Sequence, residues 1–267
     1  MPPTVVRFFV LAYAITWLCQ LPLLLQQWGA PIPPEAAMAP LALGAVGPSI
    51  AAAVCAWKER GRAGLSGLFS PRRAPAGWAY APLALCMPAL LHLLGLALLA
   101  LAGGSAPATL LYAPVTPEQR GIAVLAPLGE ELGWRGYALP RLLPAHGPVR
   151  ASLITGAAWT LWHLPMMCLP GVPWWSLPLS ALFITSLSVL MTALHLASGG
   201  SMLVACAAHL GIHLDNVSRA HLSGDGATPL LVTTIAAIAA AAVAARRMQT
   251  RQAWAEAAAA QPRSRAA

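Results

Sequence analysis

Gly129-Glu130-Glu131-Leu132-Gly133-Trp134-Arg135-Gly136-Tyr137 sets two adjacent carboxylates and an arginine inside a chain that otherwise reads as lipid-embedded. A glutamate at bilayer depth is costly unless it is paired or faces a polar cavity, so an intramembrane carboxylate points to function by default. The membrane setting comes from the rest of the chain. A, V, I, L, M, F, W, Y and C make up 58% of 267 residues and D, E, K and R only 9%, against roughly 25% charged residues in soluble domains. The net charge of +8 is spread over short segments between apolar runs. That is the pattern of membrane topology, and it excludes a nucleic-acid-binding face. Cys19, Cys55, Cys86, Cys168 and Cys206 all lie in apolar stretches without CxxC spacing, which argues against a disulfide framework or a zinc knuckle.

A spanning helix needs about 20 apolar residues. The runs of that length are Val5–Gln26, Pro40–Trp57, Trp78–Ala102, Glu118–Leu139, Ala151–Leu169, Trp174–Leu196, Ser201–Val217 and Thr228–Ala245. The expectation is an all-α, polytopic membrane bundle of about eight transmembrane helices around a buried site. The first run is too long for a signal peptide and is read as retained. If all eight cross, Arg7, Lys58, Arg60, Arg62, Arg72, Arg73, Arg141, Arg150, Arg246, Arg247, Arg251, Arg263 and Arg265 share one side. Leaving out the charged fourth run would move Arg141 and Arg150 across, so the positive-inside rule favours its crossing and sets both termini in the cytoplasm. Residues 1–245 then form a single transmembrane domain. Residues 246–267 form a basic cytoplasmic tail, disordered or lying on the anionic leaflet.

Polar residues concentrate in three runs. Glu131 and Arg135 are four apart with the glutamate first, the favourable order for a pair on one helix face. Glu130 is turned roughly 100° away, free to take a proton from water. A structural ion pair plus a spare carboxylate is an equal reading of this doublet alone. Trp159-Thr160-Leu161-Trp162-His163-Leu164-Pro165 places a histidine one turn after an aromatic residue, and a lone core histidine is the more common meaning of such a string. His209-Leu210-Gly211-Ile212-His213 sets two imidazoles one turn apart, with Asn216 two turns from His209 on nearly the same face. That spacing suits a shared metal or a polar helix seam. Polar groups in three otherwise apolar helices favour convergence on one site over three accidents.

Taken in order, Glu-Glu-x-x-x-Arg, the aromatic three residues before Trp162-His163, and the terminal histidine motif introduced by Gly200-Ser201 resemble the CPBP family. That family comprises CAAX-processing prenyl endopeptidases and bacteriocin-processing or self-immunity proteins. The resemblance covers about Pro40 to Asn216 and includes Gly136-Tyr137-Ala138-Leu139-Pro140-Arg141-Leu142. It implies an intramembrane endopeptidase cutting a CAAX-like, bacteriocin or leader peptide, lipidated or not. Glu130, Glu131, His163, His209 and His213 would stand at the catalytic positions, with Arg135, Trp159 and Asn216 supporting them. Trp159 replaces the usual phenylalanine, and His213 the usual asparagine. Two mechanisms stand open: a water activated by Glu130 with His163 and an oxyanion held by His209 and His213, or a zinc ion between Glu130, His163 and His209. The competing class is a non-enzymatic membrane protein, either a proton-coupled transporter or an immunity scaffold. Membrane lipid and a peptide are the expected partners, and the bacterial inner membrane the expected location.

Overall fold

The computed structural model describes residues 1–69, 75–105, 117–214 and 227–260, and the regular structure among them is helical. In chain order the elements are α1 (Pro3–Gln27), α2 (Pro34–Ala45), α3 (Gly47–Phe69), a 3-10 turn (Pro75–Tyr80), α4 (Ala81–Leu101) and α5 (Pro117–Glu131). A π-helical turn (Leu132–Ala138) leads into α6 (Leu139–Met167), followed by α7 (Ser176–Ala197), α8 (Met202–Leu214) and α9 (Ala227–Ala260). Proline opens α1, α2, α4 and α6 in the first two positions. There its fixed φ suits the helix and its missing N–H costs nothing.

Exposure runs opposite to that of a water-soluble bundle. Leu18, Leu90, Leu101, Leu128 and Leu203 face outward, while Glu130, Glu131, Arg135, Thr155, Ser188, Thr192 and His209 are buried. An apolar outside around a polar inside is what a lipid solvent selects, because every polar group must find its partner within the protein. Among the described residues, four helices are long and apolar enough to cross: Pro3–Gln27, Gly77–Leu101, Ser176–Ala197 and Leu230–Ala253. The pair α2 and α3, bent by 47°, makes a fifth if taken as one span. The other expected spans fall on α5 with its carboxylates, on α6, and on α8, which has 13 described residues.

Breaks in the helices explain where the expected boundaries shift. Pro40–Trp57 is not one straight span, since α2 ends at Ala45 and α3 starts at Gly47-Pro48. Further on, α6 begins well before Ala151 and is interrupted at Gly147, whose φ of 65° is open to glycine and strained for other residues. The largest departure is at the C-terminal end. The tail expected to begin at residue 246 is instead helical through Ala260, with Met248 buried against Val149 and Val189. Its alanine, arginine and glutamine residues are strong helix formers, so basic composition alone was a poor sign of disorder. Residues 261–267 lie outside the described residues.

Packing gathers the basic residues at one end of the bundle. Phe8, beside Arg7, packs at a tilt against Tyr137, and Glu59, between Lys58 and Arg60, pairs with Arg141. Gln252, beside Arg251, reaches Gly147. Helix α8 lies between α4 and α5, α6 packs on α7 and α1, and α9 closes against α7 and α4.

Candidate active site

The acidic doublet sits where α5 gives way to the π-helical turn. Gly129 and Gly133 make that placement possible. A Cβ on Gly129 would lie 2.6 Å from the Ala45 carbonyl oxygen, and one on Gly133 would lie 2.7 Å from that of Pro48. One small-residue face of the segment is thus pressed onto the α2–α3 break, as close helix approach in membranes requires. The carboxylates point elsewhere, into the bundle. Glu130 is 3% exposed and Glu131 is fully buried.

Glu131 is held from two sides. Arg135 Nη1 donates to its Oε1 at 2.8 Å and its Oε2 at 3.0 Å, and His209 Nδ1 donates to Oε1 at 2.8 Å. The guanidinium also places Nη2 3.5 Å from the Met191 sulfur and lies 4.9 Å from the centre of the Trp159 ring. Glu130 is bound differently. Its Oε2 accepts the indole N–H of Trp159 at 2.7 Å and, less closely, that of Trp134 at 3.4 Å, while Oε1 stands 3.8 Å from His209 Nε2. One imidazole therefore spans the doublet.

His163 lies on α6, its ring 5.7 Å from Trp159 and edge-on to Trp162 at 4.7 Å. Its Nδ1 is 2.9 Å from the Trp159 carbonyl oxygen. A carbonyl only accepts, so Nδ1 carries the proton and the neutral ring has its lone pair on Nε2. The position of α6 comes from α1. Tyr13 donates to the Ala158 carbonyl, Trp17 to that of Trp162, and Trp162 in turn to Thr16 Oγ1. His213 stacks on His209 with ring centres 5.1 Å apart, and it is partly exposed where His209 is buried. Asn216 lies outside the described residues. Cys206 directs its thiol at the Pro127 carbonyl, 3.7 Å away, and has no base–acid pair about it among the described contacts.

Glu130, Glu131, Arg135, Trp159 and His209 thus meet in one place, with His163 one turn beyond Trp159 and His213 one turn beyond His209. Trp134 joins the site without being among the residues expected there, although it stands four residues after Glu130, the same spacing as between Glu131 and Arg135. Met191 and Thr16 carry no such local signal. Beside the site, an apolar cleft of about 460 Å³ opens between α4, α5 and α8, lined among others by Leu85, Val124, Pro127, Leu128, Cys206 and Leu210. Pro127 is one turn before Glu130, and Cys206 and Leu210 flank His209.

Among the described residues no three His, Cys, Asp or Glu side chains are placed to hold an ion. Nδ1 of His209 and both oxygens of Glu131 are already engaged, and His163 turns Nδ1 to its own helix.

Fold and site together define an all-helical membrane protein with a buried glutamate–histidine centre. Residues 119–214, which carry the whole site, match the family model of Rce1-like type II CAAX prenyl endopeptidases. A relative in Methanococcus maripaludis, CAAX prenyl protease 2, is 44% identical over 46 residues. That stretch is 17% of this chain and 17% of the relative's length. Over this segment the chain is similar to the CAAX protease family, and it spans less than a fifth of the length of the relative that it matches.

Proposed function

We infer that the chain is an intramembrane endopeptidase in which Glu130 activates a water for attack on a peptide carbonyl. The observation that carries this reading is the unequal treatment of the two carboxylates. Glu131 is consumed by Arg135 and His209, whereas Glu130 keeps one oxygen facing an imidazole nitrogen across 3.8 Å. That gap is too long for a direct hydrogen bond, and a water can serve both atoms. Glu130 takes the proton of that water, assisted by the Nε2 lone pair of His163, and the new oxygen–carbon bond drives the carbonyl electrons onto oxygen. His213 supplies an N–H donor to this oxyanion, and His209 does so through Nε2–H, its Nδ1–H being held by Glu131; each such donor is worth about 3–4 kcal/mol when well placed. Collapse of the intermediate breaks the carbon–nitrogen bond, and Glu130 returns its proton to the leaving amine.

The cleft beside Pro127 and Leu128 is suited to the apolar part of the substrate, which would hold the scissile bond one helical turn away at Glu130. A peptide carrying a hydrocarbon group, or one with bulky apolar side chains, meets that requirement. The basic end of the bundle is placed in the cytoplasm by the positive-inside rule, with both termini there. We place the protein in a bacterial inner membrane. The test is cleavage by purified protein in liposomes of peptides with and without a lipidated C-terminal cysteine, read by mass spectrometry of the new termini. Cleavage close to an apolar or lipidated residue is expected, and no cleavage across the panel would count against the assignment.

His213 separates the mechanisms. As an oxyanion donor it should be replaceable: His213→Asn should retain much of the activity, and His213→Leu should lose roughly a hundredfold or more. Chelator should leave wild-type cleavage unchanged. Loss in both variants, with one zinc per chain and inactivation by chelator, would favour the metal mechanism. Near-normal cleavage by His213→Leu would remove the residue from the site.

A further inference from the structure

Trp159 touches four of the site residues. Its indole N–H donates to Glu130 Oε2, its ring lies 4.9 Å from the Arg135 guanidinium and edge-on to His209 at 5.2 Å, and its carbonyl receives the proton of His163 Nδ1. It is 2% exposed. A residue needed only to fill space has no use for the N–H, because any flat apolar ring would pack as well.

The bond to Glu130 is also one-sided. Both indoles reach Oε2, and Oε1 alone faces His209 Nε2. The terminal torsion of a glutamate is broad and roughly two-fold, so a carboxylate without fixed partners exchanges its oxygens readily. A donor on one oxygen removes that freedom and aims the lone pairs of the other. The shorter bond, 2.7 Å against 3.4 Å, assigns most of this effect to Trp159 rather than Trp134.

We propose that Trp159 is a positioning residue whose indole N–H fixes the rotation of the Glu130 carboxylate, so that Oε1 is the atom that takes the proton from water. The proposal rests on the endopeptidase reading for its kinetic consequence, and on the contact alone for its structural one. Trp159→Phe keeps a flat apolar ring and the carbonyl that orients His163, and removes only the donor. It is expected to lower kcat roughly 10- to 100-fold, the range for a misaligned reacting group, with KM within about threefold of wild type. Wild-type kcat in the folded variant would overturn the proposal. So would a rise in KM at constant kcat, which would make Trp159 a substrate contact.

A second measurement needs neither activity nor a Trp159 variant. In protein carrying nitrogen-15 tryptophan, a low-field indole N–H resonance should move upfield on Glu130→Ala, and should keep its low-field position in Trp134→Phe. A spectrum with no indole signal responding to Glu130→Ala would overturn the contact. An inactive wild type would instead count against the endopeptidase reading, and the resonance experiment would still decide the contact.

Discussion

Glu130→Ala should abolish cleavage while the protein still inserts and folds, and it should be no less stable than wild type by more than about 1–3 kcal/mol. Removal of a general base costs typically 10²- to 10⁴-fold, and here the same oxygen also orients the nucleophile, so turnover is expected to fall by at least about 10³-fold. The fold is spared because the partners of Glu130 are two indole N–H groups and a histidine, none of which depends on it for charge balance. The variant leaves two indole donors without their acceptor, but it also removes a buried carboxylate, and these effects oppose each other. His163→Ala should behave in the same way, since its ring is partly exposed. Cleavage and thermal unfolding, measured on the same purified samples, provide the check. Wild-type turnover by a properly inserted Glu130→Ala variant would sink the assignment of the base.

How far the sequence discloses this site depends on whether a contact is local. Glu131 with Arg135, Trp159 with His163, and His209 with His213 are each four residues apart, and helical periodicity alone brings each pair together. The assembly of those pairs required the occurrence of polar groups in three apolar helices and the resemblance of their order to a family pattern. Contacts between distant helices left no trace in the local spacing. The support of α6 by Tyr13, Thr16 and Trp17 follows from a face of α1 that looks like any other amphiphilic stripe, and the sulfur of Met191 beside Arg135 belongs to a helix that reads as plain lipid-facing apolar chain. The breaks were more legible than the expected straight spans allowed. Gly47-Pro48 and Gly147-Pro148 are both Gly-Pro pairs, and each marks an interruption. Apolar length says where a chain can cross a membrane, and it is blind to bends within the crossing.

Arg135 and Glu131 should show the opposite pattern to Glu130, with loss of folded protein leading loss of activity. Arg135 is fully buried, and its Nε has no hydrogen-bond partner among the described residues, so its stabilisation rests on the carboxylate, the Met191 sulfur and the Trp159 ring. Removing one partner of a buried ion pair typically costs about 3–5 kcal/mol, because the other charge is left uncompensated. Arg135→Gln should be the more damaging single change, since it leaves two adjacent buried carboxylates with no permanently charged partner at contact distance among the described residues and only the His209 ring beside them. Glu131→Gln retains an amide oxygen that can still accept from Arg135 and His209, so it should cost less. In the double variant Glu131→Gln/Arg135→Gln no charge of the pair is orphaned, and the loss should be smaller than the sum of the two single losses. Detergent-extracted yield and unfolding temperature for the three variants give the coupling directly. Additive losses would mean that the 2.8 Å contact between Arg135 and Glu131 contributes nothing of its own, and the division of the doublet into a structural and a reacting carboxylate would then have to be abandoned.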